Sequence, residues 1–403
     1  MAFINKIFMG GSNPQPTKGH FFCSSICFEL VQKNSLSITR EINDGQYIWE
    51  IEILERCQYI VARCKNPLPI DKIRIRGNDV CQEFLDYLSV EYSINYEVKP
   101  SSNFNIILYK NNSKFQLNLI SEVNFEFQTS LTIRCFDENG NEIQNNTPKL
   151  EKIEEFIRYY RKSNLSKDVY TAYKELYLSF ELMLQKINPK KDEQSEINWL
   201  KESLRIIKSR ISLSDSINNI ITEQYYNIRL KLFHSKDDKI LPGSISERAI
   251  KEAYPKLMDL WINIATNYLK IHIGGGGLMN AAFLDYMDST FGQSFLIKTS
   301  NDNTPPSSSD TTITPKNMKL INFKKNHYQH DPKSTNKILI SGSLTKLDYC
   351  DIDNIFRIGY FNQEDILFFQ IYIDGGLYLD GIDIFQVEIY LGYINANAPR
   401  LNF

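Results

Sequence analysis

"SKDVYTAYKELYLSFELMLQKI", residues 166–187, decides the architecture of the middle of this chain. Tyr173, Leu176, Tyr177, Phe180, Leu184 and Ile187 recur at spacings of three and four, which is one face of a 3.6-residue helix. Ser166 is expected to cap its N-terminus, and Asn188-Pro189 to stop it. The same period runs through "EKIEEFIRYYRK" before it and "EINWLKESLRIIKSRI" after it, the latter through Ile197, Leu200, Leu204, Ile207 and Ile211. "SDSINNIITEQYYNIRLKLF" follows, with Ser214 expected as its cap, and "SISERAIKEAYPKLMDLWINIATNYLKI" closes the set. Four or five helices joined by short loops predict a bundle.

On either side the period changes from helical to alternating. "QYIWEIEILERCQYIVARC", "KFQLNLI" and "NFEFQTSLTIRCF" read as strands, punctuated by turn signals such as "DENGNE", with one short helix at "DVCQEFLDYLS". Strand patterns return at "KILISGSL", "FRIGYF", "ILFFQIYI" and "IFQVEIYLGYI". The fold class is therefore multidomain α+β. Residues 1–148 form a mostly β, sandwich-like domain suited to sensing or regulation, and 149–273 form the bundle. Residues 274–317 form a linker, built from "GGGG" at 274–277 and the Pro/Ser/Thr-rich "NDNTPPSSSDTTITP" at 301–315. Residues 318–403 form a small β segment, which stands alone or completes the N-terminal sandwich.

Composition narrows the function classes. Hydrophobic residues make up 42% and charged residues 23% of 403, as in ordinary globular proteins. No apolar run reaches the ~18–20 residues of a membrane span, and "MAFINKIFMGGSNPQP" has too short an apolar stretch for a secretory signal. Seven scattered cysteines lack zinc-ligand spacing, so reduced thiols and a cytoplasmic location are expected. Net charge is −2, but 149–272 holds 22 Lys and Arg against 17 Asp and Glu, a balance of +5. That is compatible with a phosphate-bearing partner.

Chemistry concentrates at "YYNIRLKLFHSKDDK", residues 225–239, where Arg229 and His234 stand with four residues between them near the end of a helix. Taken with "YKELYLSFELML", "WLKESLRII" and "WINIATNYLK", this stretch resembles the HEPN superfamily, whose ribonucleases carry an Arg-x4–6-His motif. The resemblance covers about 149–272. It implies a metal-independent endoribonuclease of the kind found in bacterial antiphage defence, regulated as a toxin, needing no cofactor and no metal. It also implies a homodimer through the bundle, with two Arg–His pairs meeting across a two-fold axis. Arg229 and His234 are the catalytic candidates, with Asn227, Lys231 and Lys236 supporting them or binding RNA. Active members commonly carry a polar residue directly after the arginine, where this chain has Leu230.

The residue types suit the reaction. When RNA is cut by its own 2′-hydroxyl, a group near neutral pKa must move protons, which histidine does. A fixed cation must meet the crowded phosphate, which the arginine fork does. On an ideal helix five residues at ~100° each set the two side chains about 140° apart, so one straight helix does not aim both at one phosphate. The bland alternative is His234 at a helix C-terminus and Arg229 in a surface ion pair.

Other candidates are plainer. His327 and His330 in "NHYQH" lack a third ligand and suggest a loop. "GGGG" lacks the spacing of a dinucleotide loop, and "CSSIC" reads as packed thiols. Tyr159, Tyr160, Tyr173, Tyr177, Tyr225 and Tyr226 suit base stacking or, more often, a core. Glu175 and Glu181 share the helix of the opening stretch with no assigned role. Two further functions stay open: a catalytically inactive HEPN-like module that binds RNA or a protein partner, and a β-sandwich ligand-binding protein dimerised by its helices. An uncontrolled ribonuclease would harm its host, so an activating or inhibiting protein partner fits the enzyme.

Overall fold

A computed structural model describes residues 1–11, 21–99, 104–127, 135–136, 142–143, 154–166, 168–233, 247–271, 285–289, 296–306, 321–322, 324–330, 337–346, 354–361 and 367–395. The protein is mixed α+β and divides into two compact units, one of Met1–Phe125 with Asn280–Tyr393 and one of Glu126–Met279 with Ile394–Phe403.

In the first unit the strands are β1 (Ala2–Ile4), β2 (Ile7–Gly10), β3 (Ser24–Glu29), β4 (Ile38–Asn43), β5 (Ile48–Ile53), β6 (Tyr59–Cys64), β7 (Phe104–Asn111) and β8 (Lys114–Phe127). Between β8 and the later strands, β9 (Cys135–Phe136) pairs with β10 (Glu142–Ile143) in the second unit. The later strands are β11 (Leu296–Ser300), β12 (Ile321–Asn322), β13 (Lys324–His330), β14 (Lys337–Thr345), β15 (Ile355–Phe361), β16 (Leu367–Tyr378) and β17 (Ile384–Asn395). A nine-stranded sheet has the order β13-β14-β17-β8-β7-β3-β6-β5-β4, and a six-stranded sheet the order β12-β11-β15-β16-β1-β2. Strands from the two ends of the chain thus share both sheets. The 336–403 stretch does not stand apart. Alternation shows a strand and its faces but not its neighbour, which is why this pairing was not legible beforehand.

β3 and β6 are buried along their whole length. One face, with Ile26, Phe28, Ile60, Ala62 and Cys64, packs under α1 (Ile70–Tyr92) through Ile73, Val80, Cys81, Phe84 and Leu88. This helix is 23 residues long, far longer than "DVCQEFLDYLS" suggested. Its first half, "IDKIRIRG", carries β-branched residues and Gly77, which obscure a helical pattern. Gly77 is there for clearance: a Cβ on it would collide with Ile26 Cγ2.

The second unit holds α2 (Glu155–Leu165), α3 (Val169–Ile187), α4 (Glu196–Lys208), α5 (Ile217–Ile220), α6 (Leu230–Phe233) and α7 (Glu247–Asn263). Two stretches are π-helical, Ile221–Arg229 between α5 and α6, and Ile264–Tyr268 after α7. The predicted periodic residues form one core, with Tyr173, Tyr177, Phe180, Leu204, Tyr254 and Trp261 all buried. Each large apolar side chain so buried contributes ~1.5–3 kcal/mol. Two expected caps differ. Ser166 ends α2, and Asp168 caps α3 by accepting from the Thr171 amide at 2.7 Å. Ser216, not Ser214, caps α5, accepting from the Asn219 amide at 3.2 Å. In both cases an equally good capping residue stands two positions further on, and periodicity does not resolve such a choice.

The linker expectation also changes. Within 301–315, residues 302–304 are held: Arg357, 4% exposed, donates to the backbone oxygens of Asp302 and Thr304, and Tyr372 Oη donates to the Asn303 oxygen at 3.0 Å. Residues 307–315, "GGGG" and most of "DENGNE" lie outside the described residues. His327 and His330 sit in a strand rather than a loop, opposite Ser341 and Ile338. Among the described residues no helix is long and apolar enough to cross a membrane.

Candidate functional site

Arg229 closes the π-helical stretch, whose last hydrogen bond runs from the Leu230 amide back five residues to the Tyr225 oxygen. π-Helical turns are rare and recur at functional sites. The side chain is 15% exposed, and its guanidinium carbon lies 5.4 Å from the Tyr225 ring centre and 5.3 Å from that of Phe233, one helical turn to either side. Arg229 Nη2 lies 2.8 Å from Glu196 Oε1 and 3.5 Å from Glu181 Oε1. Tyr225 Oη donates to Glu196 Oε2 at 2.9 Å. Four elements therefore meet here: α3 through Glu181, α4 through Glu196, the π-helical turn, and α6.

The electrostatics follow from burial. Glu181 is pushed up to about 7, first by desolvation and further by the neighbouring Glu196 carboxylate, against the opposing pull of Arg229. Tyr225 is pushed up to about 12, again by burial first and then by its bond to Glu196. The Tyr177 hydroxyl, fully buried beside this cluster, is raised as well. Near neutral pH the Glu181 carboxyl, beside Arg229 and Glu196, exchanges its proton. That carboxyl is suited to general acid or base work.

The predicted residues are not all gathered here. Asn227 and Lys231 stand two positions to either side of Arg229, so their side chains turn away from it; Asn227 is exposed and Lys231 half-buried. His234 and Lys236 lie outside the described residues. Arg229 is ion-paired, as the plain alternative had it, but within a half-buried network of two carboxylates rather than in a single surface pair. The helix changes winding at Arg229, from the π-helical stretch to the α-helical turn Leu230–Phe233.

Glu181 and Glu196 were missed as partners. Glu181 was visible on the helix of the opening stretch, but its meeting with a residue 48 positions later is a tertiary fact with no local signal. Glu175, also on α3, has a buried Oε2 with no hydrogen-bond partner among the described residues. Of the tyrosines, Tyr173, Tyr177 and Tyr225 are buried in the core, and Tyr160 stacks on Trp261 at 4.1 Å. Tyr226 is exposed. The thiols of "CSSIC" are buried and free, with Cys27 raised well above its usual range by desolvation, so they are packed and unreactive.

The chain so defined is a mixed α+β protein with a half-buried arginine–carboxylate cluster in a helical unit. Compared with protein-family models, curated proteins and solved structures, it matches none of them.

Proposed function

We propose that residues about 149–272 are a HEPN-type, metal-independent endoribonuclease, flanked by a sandwich-like β region that senses a trigger or restrains it. In this reading it is a cytoplasmic antiphage or toxin effector under the control of a protein partner. The observation that carries the proposal is the half-buried Arg229 set against a carboxyl group, Glu181, whose proton exchanges near neutral pH.

The reaction is a transesterification. The 2′-oxygen of the RNA attacks the adjacent phosphorus, the bond to the 5′-oxygen breaks, and a 2′,3′-cyclic phosphate and a 5′-hydroxyl result. One group accepts the 2′ proton and another donates to the leaving oxygen. In this reading His234 takes one of these roles and Glu181, with its raised carboxyl, takes the second. Arg229 stabilises charge on the phosphate once RNA displaces one of its carboxylate partners. Two copies meeting through the helical unit supply the paired sites that the Arg–His spacing demands.

A labelled RNA tests this, incubated with the wild type, His234→Ala and Arg229→Ala, with and without EDTA. The expected result is loss of cleavage by ~10²–10⁴-fold in each variant, with no effect of chelator on the wild type. Light scattering on the same samples should give a dimer at micromolar concentration. Full activity in His234→Ala would remove the enzyme reading, and full activity as a monomer would remove the shared cleft.

One observation favours a second reading. Arg229 is already matched by two carboxylates, as in a structural network, and Leu230 follows it. A catalytically inactive module that binds RNA or protein would show RNA retention by the wild type with no cleavage at any pH.

A further inference from the structure

The first unit contains a cavity of about 470 Å³, unconnected with the helical cluster and independent of the ribonuclease reading. It opens between β3 and β16, one strand from each sheet, and its lining has an unusual charge pattern. Two cations and two carboxylates face it, already joined in crossed pairs. Lys99 bonds Glu29 of β3, and Lys33 lies 2.9 Å from Asp374 of β16. Glu29 is 7% exposed, and its carboxylate also accepts from the Gln58 amide.

The remaining wall is mixed, with Gln58, Ser121 and Gln370 beside an apolar part. Phe104 and Ile371 lie on the sheets, and Pro305 and Pro306 form the rim. That rim is held in place, because Arg357 and Tyr372 tie residues 302–304 immediately before it, and Arg357 also donates to Gln370 Oε1 at 3.1 Å. Behind Phe104, the fully buried Tyr59 stands directly opposite Glu29 across the β3–β6 pair. Its hydroxyl has no hydrogen-bond partner among the described residues.

A largely buried ion pair such as Lys99–Glu29 is a poor way to stabilise a sheet interface, since apolar residues of equal volume do so as well or better. Such departures from the best-packed solution collect at binding sites. The charge balance selects the ligand. A phosphate or other anion needs cations not already neutralised, and a divalent cation needs carboxylates free of lysine. A molecule bearing both signs fits the existing order, its ammonium between Glu29 and Asp374 and its carboxylate between Lys33 and Lys99. The apolar part of the wall, Phe104, Ile371, Pro305 and Pro306, then receives its side group.

We propose that this cavity binds a free α-amino acid with an apolar or aromatic side chain. Such a ligand gives the first unit the chemistry of a sensor.

Isothermal titration of the full-length protein with L-leucine, L-methionine and L-phenylalanine tests the proposal. At least one should bind in the micromolar to low-millimolar range. Its N-acetyl and its carboxamide derivatives, each lacking one charge, should bind at least about tenfold more weakly. Lys33→Ala, at a mostly exposed side chain, should keep the wild-type melting curve and weaken binding by a similar factor. Lys99→Met provides the second cation test. Absence of binding by all three amino acids, equal binding of the blocked derivatives, or undiminished binding by both lysine variants in folded protein would overturn the assignment.

Discussion

Single residues carry the strongest physical demands in this protein, and Glu181 is the clearest. Its ordinary value is 4.5 and its folded value about 7, so between those pH values the folded state holds a proton that the unfolded state has lost. Stability therefore falls as pH rises from 4.5 to 7 and levels off above. Glu181→Gln removes that slope. Measured by urea unfolding at pH 5 and pH 8, the wild type should lose on the order of 2–3 kcal/mol more than the variant over this interval. Equal losses would mean that Glu181 is ionised throughout. Gly77 makes a contrary demand. Alanine there gains about 1 kcal/mol of helix propensity. Its Cβ, however, would meet the Cγ2 of Ile26, a stiff β-branched side chain buried against α1. Overpacking of this kind costs ~1–3 kcal/mol. Gly77→Ala should thus lower the melting temperature, contrary to what the helix sequence suggests.

At the scale of elements, legibility in the sequence tracked how local the determining contact is. The helices α3 and α4 were readable because Tyr173 through Ile187 and Ile197 through Ile207 bury one face at a fixed period. The π-helical turn at Ile221–Arg229 was not, since "ITEQYYNIR" shows no signal for i→i+5 winding. Tyr173 helps to hold this turn from outside, donating to the Gln224 oxygen at 3.0 Å and its Oε1 at 2.8 Å. Strand β6 gives a similar lesson, because the apolar run of "YIVARC" is enough to be found, yet nothing in it says that Arg63 is buried. Arg63 sits 6% exposed opposite Glu50, bonds both Glu50 and Glu52 of β5, and donates to the Phe8 oxygen. Arg63→Met leaves two adjacent carboxylates in low dielectric and should cost ~3–5 kcal/mol at neutral pH. Adding Glu50→Gln and Glu52→Gln to that variant should recover most of the loss. An unimproved triple variant in denaturant titration would show that shape, not charge, is what Arg63 provides.

At the scale of the molecule, the N-terminal hairpin is the piece whose importance the sequence most concealed. "MAFINKIFMG" is too short and too mixed to announce two strands. Yet β1 lies between β2 and β16 in the six-stranded sheet and so joins the first residues of the chain to its last hundred. The joint is close. The Asn5 amide donates to the Gly376 oxygen at 2.8 Å, and Gly375, at φ +74°, leaves space for the Asn5 side chain. Ile4, Ile7 and Met9 are all fully buried. At ~1.5–3 kcal/mol each, these three side chains contribute about as much as the whole net stability of a typical domain, ~5–15 kcal/mol. Their removal would also leave the twelve-residue β16 with an open edge, a template for aggregation. Deletion of residues 1–11 should therefore abolish soluble folding of the first unit. The helical unit has its own core, drawn from residues 156–265. Limited proteolysis of the deletion variant, refolded from denaturant, should then leave a protected fragment within about 154–271 and no protected fragment containing β14–β17. Recovery of a soluble deletion variant with a wild-type melting curve would show that the hairpin is an ornament on the sheet rather than part of its core.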